Sequence, residues 1–228
     1  MAITAQSIFQ RVVKVLNDET SVRWTIPELA RYFNDGQREI AALRPDSMSV
    51  RIVHPLVAGY KQSIPSNGTQ LIDVNANGTG NKGAVTLVAA AILDAQMRNW
   101  RNIPGTQEIL HYTYDIREPK TFECYPPALA TASLDLEYSA LPTDIAEPAL
   151  GTTYVDVVGN FSMGDLFANA LQHYILFRCY SKDTEYTANP GLADKYHQAY
   201  ANDLGVEIKM AVAASPTQKK QATPVASS

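Results

Sequence analysis

Two neighbouring stretches near the C-terminus, residues 160–186 and 189–205, carry apolar side chains at steps of three and four, the spacing of one helix face. Pro190 cannot continue a helix from upstream but suits the first turn of the next one, so we predict two helices. Because two amphipathic helices cannot bury both faces alone, another part of the chain must cover them. The faces comprise Met163, Leu166, Phe167, Ala170, Tyr174 and Phe177, then Ala193, Tyr196, Tyr200, Leu204 and Ile208.

Two further helices are predicted at the N-terminus, in residues 2–17 and 25–43. The second begins with Thr25 as its cap, Pro27 in the first turn and Glu28 at the capping-box spacing. Both stretches have a single apolar face, so they can pack against the C-terminal pair. The faces comprise Ala5, Phe9, Val12 and Leu16, then Ile26, Leu29, Ala30, Phe33, Gln37 and Ile40.

Between the helix pairs the apolar spacing changes to two, which predicts β-strands. Asn67-Gly68 separates two short strand-like runs and predicts a hairpin turn. Residues 84–94 begin with β-branched side chains and continue with alanines, so we predict a strand followed by a short helix. Further strands are predicted at residues 50–57, 110–116, 121–125 and 132–139, with a turn at 117–120.

The order of these elements predicts an α+β fold with a discontinuous four-helix body of two N-terminal and two C-terminal helices. The helical body comprises residues 1–48 and 155–210, an antiparallel β subdomain is inserted at 49–140, and residues 141–154 form a linker. Residues 211–228 contain no aromatic residue and many serines, threonines and alanines. Such a segment cannot bury enough apolar surface to fold alone, so we predict an extended C-terminal tail that needs a partner.

Composition restricts the function. The chain has 228 residues and a net charge of −4, which argues against a dedicated nucleic-acid binder because phosphate-gripping proteins carry basic clusters. No apolar run approaches the roughly 18 residues that cross a bilayer, and the N-terminus does not resemble a signal peptide, so we expect a cytoplasmic product. Cys124 and Cys179 give no disulfide framework or metal spacing and are expected to be isolated and partly buried.

One run, GTGNKG at residues 78–83, matches the G-x-G-x-x-G pattern of dinucleotide sites. Such a site needs a helix directly after the loop and an acidic residue about 20 positions later, and Asp94 and Glu108 are wrongly spaced. A loop tip is the favoured interpretation, and a nucleotide-binding enzyme remains a remote alternative. His173 and His197 lie on adjacent predicted helices, where they could meet. With no metal-ligand spacing and no catalytic motif, we predict no catalytic residue, cofactor or metal site.

Tyrosines cluster on the C-terminal helix pair and its turn. Core packing explains most of them, but tyrosine is also a common interface anchor because it combines an apolar ring with a polar tip. We therefore treat Tyr186, Tyr196 and Tyr200 as candidate contacts with another subunit. The candidate contacts in the tail are Ala211, Val212, Pro216, Lys219, Lys220 and Pro224.

Residues 171–205 resemble the C-terminal helical segment of head-to-tail adaptor proteins of short-tailed, podovirus-like bacteriophages. The first helix ends with L-x-R-x-(aromatic)-S-K-D at residues 176–183, and a turn of small residues follows. The next helix carries H-x-x-(aromatic) from His197 to Tyr200 and closes with Leu204-Gly205. The early helix pair, AILDAQMRNW and FECYPP are similar in order and kind.

This resemblance implies a structural virion protein that is not an enzyme. It implies a connector ring, typically a dodecamer, that binds the portal, links it to a tail nozzle or tail tube protein and continues the DNA channel. The implied partners are the portal protein, that tail component, copies of the chain itself and DNA that passes without sequence-specific binding, with no membrane partner. The implied location is the head–tail junction of the virion, and the host cytoplasm during assembly. The alternative is another tail-completion or nozzle structural protein.

Overall fold

A computed structural model describes residues 3–78, 80, 82–182 and 189–214, with the backbone alone for residues 189 and 206–214. Its helices are α1 (Ala5–Leu16), α2 (Ile26–Leu43), α3 (Ala90–Gln96), α4 (Ala168–Lys182) and α5 (Asn189–Ala214). Its strands are β1 (Ser49–Pro55), β2 (Gly59–Ser63), β3 (Gly68–Asn77), β4 (Thr86–Leu87), β5 (His111–Tyr114), β6 (Thr121–Ala128) and β7 (Ser133–Ala140). These elements confirm the predicted α+β fold.

The described chain divides into two compact units. The helical unit contains Met1–Met48 and Leu141–Lys209, and the β unit contains Ser49–Ala140. The β unit is therefore inserted, in sequence, between the two parts of the helical unit. Residues 141–154, expected as a linker, belong to the helical unit. None of the helices in the described residues is long and apolar enough to span a membrane.

In the helical unit, both N-terminal helices pack on α4. The ring of Phe33 on α2 meets Phe9 of α1 edge-on, with 5.5 Å between the ring centroids, and contacts Phe161 at 6.3 Å. Gly36 lies where α2 approaches α4, and a Cβ atom there would be 2.5 Å from Leu171 Cδ1. The apolar faces predicted for the terminal helices thus form one common core.

The start of α2 differs from the predicted capping box. Thr25 is the N-cap residue, but its side chain makes no capping hydrogen bond. The carboxylate of Glu28 instead accepts hydrogen bonds from the Tyr32 hydroxyl at 2.8 Å and from Lys182 Nζ at 2.7 Å. The predicted capping box is wrong because Glu28 binds a side chain of α4 rather than the backbone of its own first turn.

The C-terminal helices also differ from their predicted limits. A short 3₁₀ turn at Asp165–Phe167 precedes α4, so the helix begins eight residues later than expected. Leu166 was predicted to face the core, but it lies in this turn and is 90% exposed. Helix α5 continues to Ala214, four residues beyond the predicted end of the helical body at 210.

The β unit contains two sheets. The first has the strand order β1-β7-β3 and is antiparallel, with Ile52 opposite Leu136 and Val74 opposite the same residue on the other side. The second has the order β2-β6-β5-β4, and β4 runs parallel to β5 while the other pairs are antiparallel. The predicted strand and short helix in residues 84–94 are confirmed as β4 and α3.

The hairpin predicted at Asn67-Gly68 is wrong. Strand β2 pairs with β6 and strand β3 pairs with β7, so the chain passes from one sheet to the other at this turn. The turn is closed by a hydrogen bond from Gly68 N–H to the Pro65 carbonyl at 2.8 Å. A two-residue Asn-Gly hairpin of type I′ needs positive φ at both residues, and neither residue has it here.

Candidate functional site

The residues between β7 and α4 form a loop whose ends are joined by one buried side chain. Gln37 of α2 is fully buried, and its Nε2 donates to the Thr143 carbonyl at 3.3 Å. Its Oε1 accepts from the backbone N–H of Ser162 at 2.9 Å. Ser162 Oγ also donates to the Thr143 carbonyl at 3.0 Å and accepts from the Thr143 N–H at 3.1 Å. We call residues 143–162 the closed loop.

A second side chain of α2 fixes the first limb of the closed loop. Asn34 Nδ2 donates to the Ile145 carbonyl and Asn34 Oδ1 accepts from the Ile145 N–H, both at 3.0 Å. Ile145 is buried against Gly159, whose φ is +134°. A Cβ atom on Gly159 would lie 2.6 Å from Ile145 Cγ2. Glycine is therefore required where the two limbs of the loop touch.

The second limb is held by the residues that precede α1. The backbone N–H of Phe161 donates to the Ile3 carbonyl at 2.9 Å, and the N–H of Ala5 donates to the Gly159 carbonyl at 3.1 Å. Thr4 and Asn160 form an antiparallel bridge between these bonds. Both limbs are thus hydrogen-bonded to N-terminal parts of the helical unit, and the conformation of the loop is set within one copy of the chain.

Two arginines of α2 add ion pairs to the first limb. Arg31 Nε donates to Glu147 Oε2 at 3.0 Å, and Arg38 pairs with Asp144. The hydrogen bond from Arg31 lowers the pKa of the Glu147 carboxyl below its usual value. Exposed pairs of this kind contribute little to stability, so their main effect is to balance charge beside the loop.

The closed loop and the 3₁₀ turn after it expose large apolar side chains. Leu150 and Val158 are 82% and 83% exposed, and Leu166 in the turn is 90% exposed. Single exposed leucines or valines are ordinary, but several on one loop of fixed conformation are typical of a contact site. The pattern marks this loop as the candidate protein-binding surface of the helical unit.

The same part of the chain is acidic. Residues 141–177 contain four acidic residues and no lysine or arginine. Asp144 and Glu147 pair with arginines of α2, as described above. Asp156 accepts a hydrogen bond from Thr153 Oγ1 at 2.7 Å, and Asp165 lies beside the exposed Leu166. Within the described residues, neither of these two aspartates has an ion-pair partner.

The structure places two of the candidate contact tyrosines on α5. Tyr196 is partly buried, and its ring is parallel to that of Tyr180 on α4, with centroids 5.6 Å apart. Tyr200 is buried and meets Tyr174 at 5.4 Å. The Tyr200 ring is thus part of the core of its own chain, whereas Tyr196 has a partly exposed ring that another protein can contact.

The remaining candidates lie at the end of α5 and beyond it, or just before it in the sequence. Ala211 and Val212 belong to the last turns of α5, for which the backbone alone is described. Tyr186, Pro216, Lys219, Lys220 and Pro224 lie outside the described residues.

The histidines and cysteines lie apart, each with its own surroundings. His173 Nδ1 lies 2.8 Å from Asp203 Oδ2, while the His197 ring packs on Phe177 at 4.7 Å, so the two histidines have different partners. Cys124 and Cys179 are free and buried, and burial raises the pKa of the Cys124 thiol to about 12. In the part of the chain that the structure describes, no group of three His, Cys, Asp or Glu residues is placed to hold a metal.

The glycine-rich run at 78–83 lacks the surroundings of a dinucleotide site. It connects β3 to β4, and the next helix, α3, begins only at Ala90. Asn77 fixes the base of the loop, because its Nδ2 donates to the Ile109 carbonyl at 2.8 Å and its Oδ1 accepts from the Ile109 N–H at 2.8 Å. In a dinucleotide site the pyrophosphate binds the backbone N–H groups at the start of the helix that follows the glycines. The described glycines of this run are followed by no such helix start.

A groove of about 440 Å³ lies on the second sheet of the β unit. Four of its five charged side chains form ion pairs within the lining: Arg101 Nη2 lies 3.1 Å from Glu123 Oε2, and Lys61 Nζ lies 3.1 Å from Glu118 Oε2. The fifth, Asp115, pairs with Arg117 beside the groove, so every charged side chain of the lining has an ion-pair partner and none is left to attract a charged ligand.

The described residues thus form a helical unit with a hydrogen-bonded loop that exposes apolar side chains. The family model of the SU10 adaptor protein matches residues 3–225, which cover both units. The chain therefore belongs to the SU10 adaptor protein family and is a structural adaptor protein of a bacteriophage. The family predicted from residues 171–205 is thereby confirmed. No curated protein matches the sequence.

Proposed function

We propose that the protein forms a ring, a dodecamer, that joins the portal of a phage head to a tail nozzle or tail tube protein. The observation that carries this proposal is the adaptor-family match over residues 3–225. The match spans both units, so the proposed role belongs to the whole chain rather than to one module. The protein would act by binding its partners at the head–tail junction of the virion, without catalysis.

The closed loop supports a role in assembly. Gln37 and Asn34 hold it through hydrogen bonds within one copy, so its shape exists before any partner binds. A contact surface that is already ordered loses less conformational entropy on binding. Subunits that meet through two different surfaces form closed rings when the rotation between them divides the circle.

The charge of the chain supports passage of DNA through such a ring. The net charge is −4, and an acidic wall repels DNA phosphates. DNA would therefore pass without sequence-specific binding.

The C-terminal residues are proposed to contact the portal or a neighbouring subunit. The candidates are Ala211 and Val212 at the end of α5, Tyr196 on its partly exposed face, and Tyr186, Pro216, Lys219, Lys220 and Pro224. The segment 211–228 has too little apolar surface to form its own core, so a partner would supply the surface that it binds.

The test is reconstitution with the purified portal protein and tail component of the same phage. We expect the full chain to bind the portal in a number of copies matched to the portal ring, measured by native mass spectrometry, and then to capture the tail component. A chain ending at Met210 should stay folded and fail to bind the portal stably, whereas a control that lacks only residues 226–228 should bind.

Other outcomes of this experiment contradict the proposal. A hexamer or trimer that binds the tail component but not the portal would instead assign the protein to tail completion or to the nozzle. Unchanged portal binding by the chain ending at Met210 would exclude the C-terminal residues as the portal contact.

A further inference from the structure

We propose that the closed loop and the adjacent turn at Asp165–Phe167 bind residues 215–228 of a second copy of this chain. This inference rests on the ring proposed above, and it names the two surfaces through which neighbouring copies meet. The occupant is a defined segment of 14 residues that begins where the described part of α5 ends.

The loop is ready to bind and is not covered by its own unit. Leu150, Val158 and Leu166 are each more than four-fifths exposed, although both limbs of the loop are hydrogen-bonded in place. Contact sites of this kind gain affinity because apolar side chains are buried while little backbone freedom is lost.

Charge identifies the occupant. The stretch that contains the loop has four acidic residues and no basic residue between positions 141 and 177. Residues 215–228 contain Lys219 and Lys220 and no acidic residue. Asp156 and Asp165 have no ion-pair partner among the described residues, so they offer the loop's available negative charge. Complementary charge favours this pairing and sets its register.

The apolar residues of the segment fit an exposed, shallow surface. Pro216, Pro224 and Val225 are the segment's larger apolar residues. Prolines restrict an unbound chain to extended conformations, so less entropy is lost when it lies along a surface. Leu150, Val158 and Leu166 would provide the apolar side of this contact.

The segment is long enough to reach another copy. A chain extends at most about 3.3–3.6 Å per residue, so 14 residues span up to about 46–50 Å. That distance exceeds the roughly 30 Å diameter of a small domain. Because the loop and the segment are different surfaces, each copy gives one and receives one, which is the arrangement that closes a ring.

The first test maps the contact directly in the full chain. A photo-crosslinking residue replaces Lys219, and the protein is mixed with isotope-labelled full chain before irradiation. We expect crosslinked peptides from residues 141–167 that join a labelled to an unlabelled copy. Crosslinks within one copy only, crosslinks to another surface, or no crosslinks at all overturn the proposal.

The second test uses two full-length variants that lack opposite halves of the contact. One carries Leu150→Ser and Val158→Ser, and the other carries Lys219→Glu and Lys220→Glu. In this test the crosslinking residue replaces Gln218, because Lys219 is itself changed. For each variant alone, the yield of the labelled-to-unlabelled crosslink should fall at least tenfold. A mixture in which the loop variant carries the crosslinker should restore it, because an intact segment then meets an intact loop.

Matched controls separate this effect from a general loss of solubility or charge. Val22→Ser changes a side chain that is 80% exposed but lies outside the loop, and Lys14→Glu with Lys195→Glu makes the same charge change elsewhere. Both should crosslink as the parent chain does. Failure of the mixture to restore the crosslink would exclude a loop-to-segment contact.

The two proposals fail in distinguishable ways. Crosslinking between copies with no binding to portal would retain the loop contact and reject the portal adaptor role. Portal binding by the Leu150→Ser, Val158→Ser variant with normal copy number would retain the adaptor role and reject the loop contact.

Discussion

The indole Nε1 of Trp24 donates a hydrogen bond to the backbone carbonyl of Cys179 at 3.3 Å, across 155 positions of sequence. Cys179 lies in the last turn of α4. A residue just before α2 is therefore hydrogen-bonded to the last turn of α4. The two parts of the helical unit depend on each other although the β unit separates them in sequence.

Trp24→Phe should destabilise the helical unit by about 1–3 kcal/mol, because it removes the hydrogen bond to the Cys179 carbonyl and some of the buried ring atoms. Urea unfolding followed by circular dichroism measures the change. Val22→Ser, two residues away and exposed, should leave the midpoint unchanged. Equal midpoints for Trp24→Phe and the parent chain would show that this bond does not join the two parts.

Gln37→Met should open the closed loop while the α2 helix remains formed. The substitution keeps the volume but leaves the Ser162 N–H without its acceptor, at a cost of about 1–3 kcal/mol, and leaves Ser162 Oγ as the donor to the Thr143 carbonyl. Hydrogen exchange of the amides in residues 143–162 should become faster. Gln10→Met, on the exposed face of α1, is the matched control and should change neither stability nor exchange.

Asp18 should give the protein a pH-dependent stability. Burial raises the pKa of this carboxyl, but hydrogen bonds from the backbone of Trp24, Val22 and Arg23 outweigh it and hold the pKa below its usual value. Because folding lowers this pKa, the ionised carboxylate stabilises the folded protein at pH values above the unfolded pKa of about 3.9. This stabilisation is lost as the pH falls through the folded pKa.

The measurement is the urea midpoint between pH 6 and pH 3 for the parent chain and for Asp18→Asn. The difference between them should be largest at pH 6 and should shrink towards pH 3, because the parent's advantage requires the ionised carboxylate. Glu19→Gln, an exposed neighbour that accepts no hydrogen bond within the described residues, is the control. A constant difference across this range would contradict the assignment.

Gly36→Ala should destabilise the packing of α2 on α4. Its new Cβ would lie 2.5 Å from Leu171 Cδ1 and 2.6 Å from Tyr174 Cδ1, and both side chains are buried. We expect a net loss of about 1–3 kcal/mol despite the better helix propensity of alanine. Thermal unfolding of both variants measures the change. Gly205→Ala in α5 is the control, because its new Cβ would have nothing within 4 Å, and it should stabilise the protein by up to about 1 kcal/mol.

The helical unit could be predicted from the sequence because its core uses regular spacing. Phe9, Phe33 and Tyr174 recur with their neighbours at helical intervals, and the structure buries all three. Leu166 was misplaced because it continues the same spacing past the true helix start, where a 3₁₀ turn points it to solvent. Periodicity reports which residues could share a face, but it does not mark where a helix begins.

The strand pairing and the closed loop could not be predicted in this way. Asn67-Gly68 is a local hairpin signal, but the long-range pairing of β3 with β7 determines where the chain goes. Gln37 and Ser162 are 125 positions apart, and a buried amide that joins two loop ends leaves no periodic pattern. The signal that could have marked the loop is the absence of lysine and arginine from residues 141–177.

The insertion of the β unit between the halves of the helical unit has a consequence during translation. The ribosome releases α1 and α2 first, but α4 and α5 follow only after about 120 further residues, which takes roughly 6–24 s at about 5–20 residues per second. During that interval Phe9 and Phe33 lack the helix that covers them. A nascent chain that stops before α4 cannot complete the core of the helical unit.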